Sequence, residues 1–140
     1  MTLESIHELY SAITEANMSP LRILDGQNIL KGNPVAKNIF IAITGDGMIK
    51  GGGFDMYLYE IKLGKITNAH VKQVFQEIGF TSGLEILNKA KRSANLEKLD
   101  MAYYQLDEEF EQLITDYAQQ EWNNPEFIAY CDSISFKRGQ

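Results

Sequence analysis

The chain has 140 residues, a formal net charge of -6, 44% hydrophobic residues and one cysteine. That length suits a single domain spanning residues 1–140, able to bury roughly two thirds of its unfolded surface. No apolar run approaches the roughly 20 residues of a membrane span, and one thiol excludes both an internal disulfide and a multi-cysteine metal site.

The N-terminus has no basic start followed by an apolar stretch, so a cytoplasmic protein is expected. Leu3, Ile6, Tyr10 and Ile13 recur at spacings of three and four and predict a first helix with one apolar side. Gly26 and Gly32 then punctuate a stretch with little periodicity, which reads as a loop. Asn33-Pro34 supplies a helix N-cap followed by proline at the first helical position. The run VAKNIFIAIT after it is rich in β-branched residues, but the cap favours helix.

Glycines 45, 47, 51, 52 and 53 predict a break, after which Phe54, Tyr57, Leu58 and Ile61 make one apolar side of a new helix. Thr67 caps the next helix, whose stripe of Val71, Val74, Phe75 and Ile78 stops at Gly79 in a left-handed C-terminal position. Ser82-Gly83-Leu84-Glu85 has capping-box spacing and opens a helix through Ala90. Leu106, Phe110, Leu113, Ile114 and Tyr117 mark a longer helix, and Asn124-Pro125 starts a last one carrying Phe127, Ile128, Cys131 and Ile134. The fold class expected is all-α, a compact single-domain bundle of about six or seven short helices.

The glycine run at KGGGFDMYLYE invites a phosphate or metal reading. In a phosphate loop lysine and a hydroxyl follow the last glycine, whereas Lys50 precedes the run and no Ser or Thr follows it. Aligned on a calcium loop, the ligand positions fall on Ala42, Thr44 and Gly53, where the loop needs acids or amides and a bidentate glutamate. His7 and His70 lie on separate predicted helices with no partner at ligand spacing, and read as exposed polar residues. Cys131 reads as a small buried apolar side chain. No catalytic assembly, metal site or cofactor site is legible. The one enzyme alternative is a carboxylate site beside the glycines formed by Asp46, Asp55 and Glu60.

Charge is the sharper lead. Residues 1–99 hold eleven basic and ten acidic side chains, while 100–136 hold nine acids and no Lys or Arg. Such a segment repels nucleic acid, so no direct nucleic-acid binding is expected, and attracts basic protein surfaces. From Asp107 to Glu121 six acids occupy fifteen residues. At a rise of about 1.5 Å per residue they average one charge every ~3.5 Å, near the ~3.4 Å between phosphates of one DNA strand. The candidate partner-binding residues are Asp107, Glu108, Glu111, Asp116, Glu121 and Glu126. The plainer reading is a solvated helix face whose first acids complement the helix dipole. Tyr103, Tyr104, Tyr117 and Trp122 interleave with these acids; Tyr103 and Tyr104 are adjacent, so one of them faces solvent or a partner.

The order GGGFDMYLYE, QEIGF, LEILNKAK, LDEEFEQLI resembles a bacterial family of small helical proteins, known as a domain of unknown function, that includes a DNA-mimic protein. The likeness covers about residues 40–130 and is carried by Gly52, Gly53, Phe54, Tyr57, Ile78, Gly79, Ala90, Leu106, Asp107 and Phe110. Met48, Lys50, Gly51 and Met56 stand where the family pattern has glutamate, two asparagines and glutamine. The glycine and apolar positions imply a structural motif in which Gly52 and Gly53 turn the chain into a helix locked to the core by Phe54 and Tyr57. In function the resemblance implies a non-enzymatic acidic protein that occupies the DNA-binding face of a basic transcription factor or histone-like protein, with homodimerisation. An immunity protein covering a basic toxin would use the same physics.

Overall fold

The computed structural model describes residues 2–138. Its described residues form eight helices: α1 (Leu3–Ala16), α2 (Gly26–Leu30), α3 (Pro34–Glu60), α4 (Asn68–Glu77), α5 (Thr81–Lys89), α6 (Leu96–Tyr104), α7 (Asp107–Glu121) and α8 (Pro125–Ser133). There is no strand among them, only an isolated antiparallel bridge between Met18 and Leu24. The all-α class read from the sequence is the class observed.

By their internal contacts the residues fall into two compact units, Met1–Phe40 with Thr115–Gln140, and Ile41–Ile114. In the first, Ile6, Leu9 and Ile13 of α1 are fully buried together with Ile39, Ala118, Phe127 and Cys131. Tyr10 stacks on Phe40 at 5.1 Å. Asn38 is buried as well, and its amide donates to the Tyr117 hydroxyl at 2.9 Å.

The second unit has an aromatic centre. Phe54, Tyr57, Phe75, Phe80, Tyr103 and Phe110 are each 0–4% exposed. Phe80 sits edge-on to Phe75, Tyr103 and Phe110 at centroid distances of 5.0, 6.0 and 5.3 Å. Burying one such ring stabilises by about 1.5–3 kcal/mol, and each edge-on pair adds roughly 0.5–1.5 kcal/mol. Around it α4 packs on α5 and α5 on α6.

Local signals account for most helix starts. Thr2 caps α1 through Ser5 N–H, and the Asn33 side chain accepts from Val35 and Ala36 N–H at 3.0 and 3.1 Å. Asn124 does the same for Glu126 and Phe127. Thr67 caps α4 in a capping box whose return bond runs from Thr67 N–H to Nδ1 of His70, so that histidine is a capping residue. Gly79 takes φ 80°.

Four expectations are corrected. The stretch read as a loop contains α2, capped by Asp25 through Asn28 N–H. The predicted break at the glycines is confined to Gly53, since α3 runs through glycines 45, 47, 51 and 52. Each mid-helix glycine costs about 1 kcal/mol relative to alanine, but Ile39, Phe40, Ile41, Ala42 and Ile49 are at most 1% exposed and their burial outweighs it. Gly45 is also where α4 comes close: a Cβ there would lie 2.7 Å from Cγ1 of Val71. The helix expected from Ser82 starts one residue earlier with Phe80 at the cap and no side-chain capping bond. Finally, α6 was not expected; Asn95 caps it through Lys98 N–H.

Candidate functional site

Gly53 combines φ 73° with ψ -178°, a conformation open essentially to glycine. The turn frees the N–H of Phe54 from the helical ladder, and that N–H donates to Oδ1 of Asp100 at 2.7 Å. Asp100 comes from α6, and its carboxylate fills the space beside Gly53: a Cβ there would lie 2.6 Å from Oδ2. The turn at Gly53 therefore holds an anion that belongs to the chain itself. Below the turn Phe54 and Tyr57 are fully buried, and the Tyr57 hydroxyl donates to Oδ1 of Asn68 at 2.6 Å. Gly52 stays helical.

Two turns and one turn earlier on α3, respectively, Asp46 and Lys50 form the second polar centre of this unit. Asp46 is 7% exposed, and both of its oxygens are engaged. The Tyr103 hydroxyl donates to Oδ1 at 2.7 Å, and Nζ of Lys50 pairs with Oδ2 at 2.9 Å. Lys50 also pairs with Oδ1 of Asp107 and lies 5.5 Å from the Phe110 ring centroid. Burial, the largest influence, raises the Asp46 carboxyl above its ordinary value against the pull of Lys50 and Tyr103, and the Asp107 charge adds to the rise. For Lys50 burial pulls downward, but the hydrogen bonds to Asp107 and Asp46 leave its ammonium raised. The Tyr103 phenol is pushed far above its ordinary value by burial and the adjoining Asp46 charge.

This geometry separates the three carboxylates of the enzyme alternative. Asp46 is buried and saturated with partners, Asp55 is exposed and pairs with Arg92 at 2.6 Å, and Glu60 faces solvent. Among the described residues no group of three His, Cys, Asp or Glu side chains is placed to hold a metal ion.

The six candidate partner-binding acids divide between the units. Asp107, Glu108 and Glu111 lie in the second, at the start of α7. Asp107 is held by Lys50, Glu108 is exposed and Glu111 is half-buried. Asp116, Glu121 and Glu126 lie in the first unit. Asp116 and Glu126 are exposed, and Oε2 of Glu121 accepts from the Asn124 amide at 3.1 Å. Beyond Glu121, a guanidinium N–H of Arg138 donates to the Trp122 carbonyl at 2.6 Å. Of the interleaved aromatics Tyr103 is buried and Tyr104 is 44% exposed, so the adjacent pair splits between core and solvent. Burial pushes the Cys131 thiol up to about 11.

A protein-family model described as DMP19-like protein matches residues 31–132. The chain belongs to the DMP19-like family. No curated protein and no solved structure matches it. The DMP19-like segment takes in all six acids, the Gly53 turn and the Asp46–Lys50 pair, and leaves α1 and α2 outside it.

Sequence reasoning missed Asp100, Lys50 and Tyr103 as partners in these centres. The Asp46–Lys50 spacing of four on a helix was a usable signal. Tyr103 and Asp100 are 57 and 46 residues from what they bind, and nothing local announces them.

Proposed function

We propose that this DMP19-like chain is a non-enzymatic interaction protein of the DNA-mimic type, whose acids take the place of phosphates on the cationic DNA-binding surface of a basic protein. The observation that carries the reading is the family match over residues 31–132, which includes every acid of the 107–126 cluster. Supporting it, α7 opens with Asp107, Glu108 and Glu109 and has no basic residue in its last turn. Lys50 already engages Asp107, so a partner contact at that carboxylate competes with an internal ion pair. Among the described residues no helix is long and apolar enough to cross a membrane. The reading also assigns the protein to the cytoplasm and, through the family resemblance, to a homodimer.

The test is affinity capture from the source cell with the immobilised chain, followed by elution with salt and, separately, with duplex DNA. A basic DNA-binding protein released by both is the expected result, since such contacts are screened by salt and compete for one surface. Recovery of only partners that duplex DNA leaves in place overturns the mimic reading. If that partner is a toxic enzyme and co-expression with this chain restores growth, the immunity reading replaces it.

A further inference from the structure

Between α5 and α6 runs a groove of about 400 Å³. Its lining is mostly apolar, with Ile86 of α5, Ala94 of the connection, and Leu99 and Ala102 of α6; the polar groups are Asn95 at the α6 N-cap and two lysines, Lys89 at the end of α5 and Lys98 in the first turn of α6. Ile86 and Leu99 keep part of their side chains uncovered, and both lysines are exposed. Neither lysine has an ion-pair partner among the described residues, whereas the neighbouring Arg92 is paired with Asp55 and Lys50 with Asp46 and Asp107. A predominantly apolar concavity of this size with a few polar groups at its margin is the usual form of a small-molecule site. The amines set the sign of the ligand and the floor sets its body.

We infer that this groove binds a medium-chain amphipathic anion, its headgroup held by Lys89 and Lys98 and its unbranched tail laid along Ile86, Ala94, Leu99 and Ala102. Decanoate, a carboxylate on an unbranched alkyl tail, is the simplest anion of that class. An acidic peptide would satisfy the lysines but bring its own polar backbone onto an apolar floor, where unpartnered amides are costly. The inference is independent of the mimic reading, since none of the partner-binding acids lines the groove.

The probe is decanoate, titrated into the full chain by calorimetry below its micelle concentration, with decanol and acetate in parallel. One decanoate per chain is expected, with decanol and acetate each weaker by about tenfold or more, because each lacks either the charge or the tail. The double variant Lys89→Gln/Lys98→Gln lowers decanoate affinity by about tenfold. Ala102→Phe, which fills the floor, abolishes binding while the thermal melt stays that of a folded chain. Absence of a saturable decanoate site overturns the inference, as does a site unaffected by both variants. A peptide copy of Asp107–Glu121 that binds the groove when decanoate does not also overturns it, and reassigns the groove to an acidic helix.

Discussion

At Gly53 a single backbone conformation and a single carboxylate are fitted to one another. A side chain there meets two penalties: a φ of 73° that costs roughly 1–3 kcal/mol in a non-glycine residue, and a Cβ 2.6 Å from the Asp100 carboxylate. Relieving the clash moves Asp100 off the Phe54 N–H, a cap of about 1 kcal/mol. Gly53→Ala is therefore expected to lower unfolding stability by about 2–4 kcal/mol in urea titrations followed by circular dichroism. Asp100→Ala alone costs about 1 kcal/mol. In the double variant the collision is gone, so the two costs sum to more than the measured loss, a coupling that a double-mutant cycle reads directly. Asp46 offers a second residue-scale test. Its carboxyl is raised above 3.8, chiefly by burial, so the folded chain holds that proton more tightly than the unfolded chain does. Its contribution is fully present below pH 3.8 and is lost as the pH rises through the folded-state value. The stability of the native chain minus that of Asp46→Asn should accordingly fall as pH rises across that window. A difference that grows instead would mean that the Lys50 pair outweighs burial.

Individual helices show why some of this was legible in the sequence and some was not. Caps are local: Asn33, Thr67 and Asn124 each bond N–H groups two or three residues away, and each was readable as a start signal. Asn33→Ala should cost about 1 kcal/mol of stability, and Asn33→Ser should recover most of it, since serine offers an equivalent oxygen. Equal losses from alanine and serine would show that Asn33 acts through some other contact. The glycines of α3 misled because propensity is a weak prior against tertiary burial; Gly45 permits the close approach of Val71. The helix α6 escaped notice because its residues take their meaning from distant partners: Tyr103 from Asp46, Asp100 from the Gly53 turn. The acidic character of α7 was plain in the sequence, yet the cation on Asp107 lies 57 residues away on α3.

For the molecule as a whole, the linear charge skew does not survive folding in its original form. Unit Met1–Phe40 with Thr115–Gln140 carries eight acids and five bases, and unit Ile41–Ile114 eleven acids and eight bases, so each has a net charge of -3. The division falls within α7, after Ile114, and parts Glu108 and Glu111 from Asp116, Glu121 and Glu126. If the proposed partner contact draws on both sets, two neutralised variants resolve it: Glu108→Gln/Glu111→Gln, and Asp116→Asn/Glu121→Gln/Glu126→Gln. Charges that steer encounter act mainly on association rate and salt dependence. Each variant should therefore slow association with the captured basic protein severalfold at low salt and flatten its salt dependence, leaving dissociation nearly unchanged. Surface plasmon resonance measures both rates. An effect from one set alone would assign the contact face to that unit. No effect from either would mean that carboxylates outside the 107–126 cluster, or no carboxylates at all, draw the partner in.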